Sequence, residues 1–300
     1  MRAEIDRRTI DDLIVKYTLE PSLRDIFVEG EFDRDLLNWV LKQLNCQDVV
    51  VFEIDSVEIL QPILDSYGYT SGAKQRVLSL GRSLERQFGP DIPYIRCVVD
   101  ADCDRILGTV LDRPYLILTD YASMEAYLMD EHHLGKILGL VLGCDIDPTV
   151  WINRYSPILN EVFLIRSANE MLGLGLPIAD VTRCCSFPND NPEFDNDDFI
   201  NRCLNASRNN VWARKDELRS AIEKLRPSLK SDFRHQGHGH DFVALLRWSC
   251  AGAARKRGLQ NDEAVHSAIA GCVDWRVMRG ERVFQALSVW ATDHDDIGGP

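Results

Sequence analysis

The sequence lacks the features of a secreted or membrane-spanning protein. Its first residues are charged and no apolar signal segment follows them, so we do not expect secretion. The longest apolar stretch, residues 134–144, is interrupted by glycine and lysine and is too short to span a bilayer. These absences predict a cytoplasmic protein that does not associate with a membrane.

The cysteines also lack the spacing of a structural site. There are nine, none in a CxxC pair, and Cys184 and Cys185 are merely adjacent. A disulfide framework or a zinc ribbon requires paired cysteines at regular spacing. The pattern therefore predicts reduced thiols and argues against structural zinc.

Positive charge is in short supply. The chain has 34 lysines and arginines against 47 acidic residues, a net charge of −13. Proteins that bind nucleic acid usually do so with lysine and arginine, so this balance argues against such a role. Bound divalent metals, a locally basic groove or a basic partner would each offset the deficit.

The length and pattern of the chain indicate an α/β protein. Its 300 residues suffice for one large domain or two small ones. The first half alternates β-branched runs with amphipathic stretches, and the second half is mostly helical. We expect a helical lead-in over 1–20, an α/β domain over 21–130 with a mostly parallel, Rossmann-like sheet flanked by helices, and a mainly helical domain over 131–300. Helices of the last part should pack back onto the sheet, because both of its faces need cover.

The expected elements follow from hydrophobic periodicity. The predicted strands are 25–28, 49–52, 95–100 and 115–118. The predicted helices are 32–44, one through 77–84, one starting near 123, then 158–172, 212–225, 241–257, 262–274 and 281–291. The acidic segment 188–198 is predicted to be a solvated loop.

The first candidate site residue is Glu29, which follows the first predicted strand. A carboxylate at this point lies at the carboxyl edge of the sheet, where open α/β sheets bind ligands. Gly30 permits a sharp turn there. The alternative is that Glu29 and Asp33 simply cap the next helix.

A second acidic group, Asp100, Asp102 and Asp104, follows the third predicted strand. If the segment is extended, its alternating side chains project to one side and their charges converge. Oxygen-rich clusters of this kind are what Mg²⁺ or Mn²⁺ prefers. The alternative is a solvated acidic turn. Glu29 and this group can meet at one sheet edge, because each follows a strand.

These motifs resemble the TOPRIM domain, and more closely a narrower TOPRIM-like group. The matching segments occur in the group's order along most of the chain. They are Val28-Glu29-Gly30 with Asp33, Gly72-Ala73-Lys74-Gln75-Arg76-Val77-Leu78, Asp100 to Asp104, Thr119-Asp120-Tyr121 with Glu125, Gly239-His240-Asp241, and the helix over 282–287. Each motif is weak alone, but the ordered set is fairly specific.

The resemblance implies a metal-dependent nuclease. One branch of the group is the effector subunit of the PARIS anti-phage system, which is paired with an ABC-type ATPase that senses infection. By analogy, this chain would be a toxin that is held by the ATPase, is released on infection and cleaves host tRNA. We expect a homodimer after release, because a tRNA-sized substrate needs more surface than the small sheet edge offers. Two alternatives remain: a DNA nickase or endonuclease of the overcoming-lysogenization-defect type, or a non-catalytic subunit that binds the ATPase.

The resemblance also implies roles for individual residues. Glu29 would be a metal ligand and the general base, and Asp100 and Asp102 would hold one Mg²⁺ or Mn²⁺. Asp104 would be an alternate ligand and Glu125 would complete a second metal site. Lys74 would stabilise charge on the phosphate, although it is equally well explained as an exposed helix lysine. The remaining expected site residues, which would touch substrate or support the ligands, are Asp33, Asp120, His240 and Asp241.

The histidine-rich stretch over 234–241 invites a zinc interpretation. Its three histidines lack the spacing of a helical zinc site or a zinc finger. We expect instead a glycine-rich loop that leads into a helix with Asp241 as its N-cap.

Overall fold

The structure, a computed structural model, describes residues 7–187, 191–207 and 211–292. By its contacts the chain divides into two compact units. The first comprises Met1–Asp100, Leu111–Asp120 and Asp274–Pro300, and the second comprises Ala101–Val110 and Tyr121–Val273. The chain therefore passes between the units several times, whereas the sequence predicted consecutive domains. In the described part of the chain, no helix is long and apolar enough to cross a membrane.

The strands of the described residues are short. In chain order they are β1 (Arg8–Thr9), β2 (Arg24–Val28), β3 (Val49–Glu53), β4 (Val57–Glu58), β5 (Ile95–Val99), β6 (Leu116–Leu118), β7 (Cys185–Ser186) and β8 (Glu193–Phe194).

Helices account for most of the rest. In chain order they are α1 (Ile10–Leu19), α2 (Glu31–Gln43), α3 (Gln61–Tyr67), α4 (Ala73–Phe88), α5 (Asp104–Leu107), α6 (Glu131–Lys136), α7 (Pro148–Met171), α8 (Asn196–Ala206), α9 (Lys215–Leu225), α10 (Gly239–Ser249), α11 (Ala251–Lys256), α12 (Asp262–Ile269), α13 (Trp275–Met278) and α14 (Arg282–Thr292).

The first unit is built on a four-stranded sheet in the order β3-β2-β5-β6, with every pair parallel. This confirms the predicted α/β class with a parallel sheet and helices packed on it. Strand β2 is buried along its whole length, as strands of a parallel sheet covered on both faces are. Strands β1 and β4 form a separate parallel pair, which the sequence did not predict.

The core of the first unit lies between α4 and one face of the sheet. Val77, Leu80 and Leu84 of α4 are fully buried and belong to the same apolar cluster as Phe27 and Cys97 of the strands. Burial of each large side chain contributes about 1.5–3 kcal/mol. The sheet thus holds the ends of β2 and β5 rigidly.

Helix α14 belongs to this unit although it is last in sequence. The Trp290 indole Nε1 donates a hydrogen bond to the carbonyl oxygen of Pro93, 3.0 Å away. The guanidinium groups of Arg24 and Arg96 lie over the same ring, at 5.9 and 4.8 Å from its centroid.

The second unit is helical and centres on α7. Trp151 and Tyr155 of this helix are buried and stack with their ring centroids 4.7 Å apart, while Phe242 of α10 meets Trp151 edge-on at 5.8 Å. Aromatic pairs in these geometries add to the free energy gained by burial. Helix α7 thereby anchors α10, which carries several candidate site residues.

Several predicted helices of the second half differ from those observed. Helix α7 begins at Pro148 rather than at 158, because Asp147 caps it by accepting a hydrogen bond from Val150 N at 3.1 Å. The predicted start at residue 158 placed Pro157 just before the helix, whereas Pro157 lies within α7. The helix expected over 241–257 is two helices, α10 and α11, separated at Cys250. The helix expected near 123 is a single 3₁₀ segment, Met124–Leu128.

Three smaller expectations also have outcomes. All nine cysteines are free thiols, as their spacing predicted. Within the acidic segment, residues 188–190 lie outside the described residues. Part of the remainder is β8, which pairs antiparallel with β7, and Asp195 caps α8 by accepting from Asp198 N at 2.9 Å. Of the helical lead-in, residues 1–6 lie outside the described residues, Arg8–Thr9 form β1, and α1 covers Ile10–Leu19.

Candidate functional site

Two acidic residues meet at the carboxyl edge of the sheet in the first unit. Strands β2 and β5 pair in parallel with Phe27 opposite Cys97, so the residues that follow the two strands lie side by side. The backbone N–H of Asp100 donates a hydrogen bond to Glu29 Oε1 at 2.9 Å. The structure therefore brings Glu29 and Asp100 together, 71 residues apart in sequence.

Asp33 has a different position from Glu29. It is the third residue of α2, is nearly buried, and its Oδ2 accepts a hydrogen bond from Gly30 N at 3.3 Å. A carboxylate at this position satisfies an N–H group of the first helical turn and interacts favourably with the helix dipole. Helix capping therefore accounts for Asp33, whereas the carboxylate of Glu29 contacts the neighbouring strand end.

The other two expected residues of the first unit, Lys74 and Asp120, are each associated with the start of a helix. Lys74 is the second residue of α4. Asp120 follows β6, and its Oδ2 accepts a hydrogen bond from Val283 N at 3.1 Å in the first turn of α14. Asp120 thus holds the last helix of the chain.

The chain enters the second unit directly after Asp100, and the acidic segment is not extended there. Asp102 has a φ of +41°, in the left-handed region that non-glycine residues rarely adopt, and its N–H donates to Ala122 O at 2.8 Å. Asp104 starts α5 and accepts a hydrogen bond from Thr109 Oγ1 at 2.7 Å. The expectation that the three acids project to one side of an extended segment is wrong, because the chain turns at Asp102.

Glu125 lies in the second unit, where it is bound to a histidine. Its Oε1 is 2.7 Å from His266 Nε2 on α12. Burial alone would raise the pKa of Glu125, but the hydrogen bond and charge of His266, together with the charge of His238, hold that pKa below its usual value. The Glu125 carboxylate is therefore ionised at neutral pH.

Gly239 permits Glu125 to approach the start of α10. A Cβ atom at residue 239 would lie 2.1 Å from Glu125 Oε2, closer than any non-bonded contact. The absence of a side chain at Gly239 is thus required for the observed position of the carboxylate.

Asp241 forms an ion pair rather than a helix cap. The guanidinium of Arg166, on α7, donates to both carboxylate oxygens of Asp241, at 2.8 and 3.0 Å. Such a bidentate pair fixes both side chains. The prediction that Asp241 is an N-cap is wrong, because α10 begins at Gly239 and its N-cap is His238. His240, the second residue of the helix, is exposed.

The same unit contains a cavity of about 380 Å³ beside Asp102. Its lining combines apolar walls with polar and cationic groups. The lining residues are Ala101, Asp102, Arg105, Ile106, Tyr121, Ala122, Phe163, Pro227, Ser228, Leu229, Lys230, His235 and Gln236. Burial lowers the pKa of His235, although the negative charge of Asp232 opposes this effect. The positive charges of Arg105, Arg234 and Lys230 lower the pKa further, so this imidazole is neutral at pH 7.

The donor chemistry of the sheet edge is compatible with a hard divalent cation. Glu29 and Asp100 offer carboxylate oxygens, which are the ligands that Mg²⁺ and Mn²⁺ prefer. Across residues 7–187, 191–207 and 211–292, no group of three or more histidine, cysteine or acidic side chains is placed to hold a metal. The two acids at the sheet edge therefore fit part of a ligand set, and the five-residue set expected from the sequence stays a prediction.

Sequence reasoning missed the partners of these residues. Arg166 and His266 lie in predicted helices that carried no motif, and Arg105 and Lys230 belong to none of the matched segments. The one available signal was the histidine-rich stretch, which supplies His235 to the cavity and His238 to the start of α10.

No known protein family matches this chain, and a comparison with curated proteins finds no match. The resemblance described from the sequence therefore rests on the motifs and on their order along the chain. What the fold defines is a class: an α/β protein whose parallel sheet has acidic side chains at its carboxyl edge.

Proposed function

We propose that this protein is a metal-dependent endonuclease with a TOPRIM-like fold, and that its substrate is RNA, with host tRNA the first candidate. In the cell it would be the toxin of an anti-phage system, held by a partner ATPase until infection releases it. The TOPRIM assignment and this cellular role come from the ordered motifs.

One observation carries the proposal: the hydrogen bond from Asp100 N to Glu29 Oε1, 2.9 Å long. It joins the ends of two adjacent parallel strands, and ligands of open α/β sheets bind at that edge. Acidic residues that follow adjacent strands bring negative charge to one edge, and a divalent cation is the usual compensation for such charge. This placement matches the first and third motifs of the TOPRIM-like group.

Glu29 and Asp100 would hold Mg²⁺ or Mn²⁺ at the carboxyl edge of the sheet. When bound, the ion supplies charge neutralisation at the phosphoryl oxygens of the substrate. Glu29 would accept a proton from the attacking hydroxyl or water. Lys74 would stabilise negative charge that develops on the phosphate. Asp33 would keep the turn at Gly30 in place.

The direct test is the Glu29→Gln variant of the full chain, incubated with Mg²⁺ or Mn²⁺ and separate pools of tRNA and supercoiled plasmid. Glutamine can still accept the hydrogen bond from Asp100 N, so the variant removes charge and basicity but retains the local structure. We expect tRNA cleavage to fall by about 10²–10⁴-fold, the usual contribution of a general base. The matched control is Glu31→Gln, two residues away and with an exposed side chain.

Two results would contradict the proposal, each in favour of one alternative. Nicked plasmid beside intact tRNA would indicate a DNA nickase of the overcoming-lysogenization-defect type. Full toxicity and phage protection by Glu29→Gln in cells that also express the partner ATPase would indicate a non-catalytic subunit. Light scattering of the released protein measures its mass in solution and so tests the proposed homodimer. An active species with the mass of a monomer would exclude the homodimer.

A further inference from the structure

The cavity beside Asp102 has the character of a ligand site rather than a packing defect. Ile106, Phe163 and Leu229 belong to one apolar cluster and form its inner wall. Tyr121 and His235 add two rings whose centroids are 5.2 Å apart. Ligand pockets typically combine apolar and aromatic walls of this kind with a few polar groups that fix orientation.

The rim of the cavity is cationic in a strongly acidic protein. Arg105 and Lys230 are both exposed, and both lie close enough to His235 to act on its charge. Within the described part of the chain, Lys230 makes no ion pair, so its ammonium group is available to a ligand. Asp102 is the one carboxylate among the lining residues. The local balance therefore favours a ligand with negative charge.

Tyr121 is held rigidly in the wall. The Arg234 guanidinium lies 4.1 Å from its ring centroid and is itself fixed by an ion pair with Asp232, 2.7 Å long. Tyr127 meets the same ring edge-on at 5.0 Å. A ring fixed in this way offers an ordered surface to a ligand at low entropic cost.

We propose that this cavity binds one unpaired nucleotide of the RNA substrate, with its base against the apolar wall and its phosphate between Arg105 and Lys230. The proposal rests on the proposed function, because it takes from it that the substrate is RNA. It extends that function by naming the substrate as a single-stranded or looped segment.

The volume of the cavity is suited to a single, unpaired base. At about 380 Å³ it lies at the low end of the range for small-molecule sites and is suited to a single nucleotide. Proteins that read single-stranded RNA place splayed-out bases against aromatic side chains, and a paired base would first have to leave its stack. The substrate therefore needs an unpaired nucleotide.

The test measures binding without cleavage. The full chain is titrated in EDTA into a fluorescein-labelled single-stranded RNA, followed by anisotropy, at several salt concentrations. For Lys230→Ala we expect about tenfold weaker binding and a log–log salt slope smaller by about one, as for the loss of one phosphate contact. Lys224→Ala, an exposed lysine of α9 outside the cavity, is the matched control and should bind like the wild type.

A second variant tests the cavity itself. Ser228 is an exposed lining residue, and Ser228→Trp would fill the space with no change of charge. It should weaken binding by about tenfold or more with an unchanged salt slope, since only phosphate contacts set that slope. If Ser228→Trp fails to fold, as judged by circular dichroism, Lys230→Ala and the competition experiment decide.

Competition identifies the ligand. Adenosine 5′-monophosphate should displace the labelled RNA at far lower concentration than adenosine or inorganic phosphate does. Equal competition by inorganic phosphate, equal competition by a fully paired duplex, or a Lys230→Ala affinity equal to that of Lys224→Ala would each overturn the proposal. Because metal is absent, these outcomes are independent of the Glu29→Gln cleavage result.

Discussion

Replacing Gly239 with alanine tests how closely the start of α10 and Glu125 are fitted. The new Cβ would lie 2.1 Å from Glu125 Oε2 and 2.2 Å from its Cδ. To reach ordinary van der Waals separation, the carboxylate must move by more than roughly 1 Å. Since Glu125 Oε1 is 2.7 Å from His266 Nε2, a movement of that size breaks the hydrogen bond.

The expected loss follows from that bond. The Glu125 side chain is 12% exposed and that of His266 29%, so solvent screens the pair only in part. A hydrogen bond to a charged group contributes about 1.5–3 kcal/mol. Alanine in place of glycine favours the helix by at most about 1 kcal/mol. We therefore expect Gly239→Ala to lower the free energy of unfolding by about 1–2 kcal/mol, measured by urea denaturation with tryptophan fluorescence.

A double-mutant cycle with Glu125→Ala separates this cause from a general effect of alanine at the helix start. In the Glu125→Ala background the clash is gone, so Gly239→Ala should be neutral or should stabilise the protein by up to about 1 kcal/mol. The sign of the Gly239→Ala effect thus reverses between backgrounds. Equal destabilisation in both backgrounds would refute the reasoning.

Two further predictions concern buried charges. Burial alone would raise the pKa of Asp130, but hydrogen bonds from the His133 ring and the backbone of the same turn lower it below 3.8. The ionised Asp130 therefore stabilises the fold at pH values above the unfolded-state pKa. The urea midpoint of the wild type should exceed that of Asp130→Asn at neutral pH, and this difference should shrink as the pH falls below about 4. A difference that stays constant with pH would contradict this prediction. Tyr17→Phe removes a 2.9 Å hydrogen bond to the buried Asp25. The variant should lower the free energy of unfolding, measured by urea denaturation, by about 1.5–3 kcal/mol. A decrease of less than about 0.5 kcal/mol would show that this hydrogen bond does not stabilise the fold.

The sheet and the acids at its edge were predictable because their signals are local. Strands β2 and β5 are short, mostly apolar runs that are followed directly by Glu29 and Asp100. Burial of both sheet faces makes such runs nearly continuous in sequence. Parallel pairing then aligns the strand ends, so pattern alone places the two acids near each other.

The ion pairs of the second unit were not predictable by the same means. Arg166 and Asp241 are 75 residues apart, and Glu125 and His266 are 141 apart, on helices whose relative placement no local pattern encodes. Helix-capping signals were misjudged for a related reason. An aspartate near a helix start is a common cap, and only the tertiary partner Arg166 reveals that Asp241 has another role.

Asp102 illustrates the limit of periodicity arguments. Acids at alternating positions converge only if the backbone is extended, and a single residue at φ +41° redirects the chain into α5. Asparagine and aspartate tolerate this conformation better than most residues, so the sequence permitted the turn without demanding it. Strain of this kind at a non-glycine residue is frequent in functional sites, which is an independent reason to test the region around Asp102.

The net charge of −13 is a property of the whole chain, whereas a ligand encounters only local charge. Many of the acids are engaged with arginines on the protein itself, as in the pairs of Asp241 with Arg166 and of Asp232 with Arg234. The lining of the cavity includes Arg105 and Lys230 and one carboxylate, that of Asp102. An acidic protein can therefore bind an anionic strand at one place while it repels nucleic acid elsewhere, and that combination confines binding to the cavity.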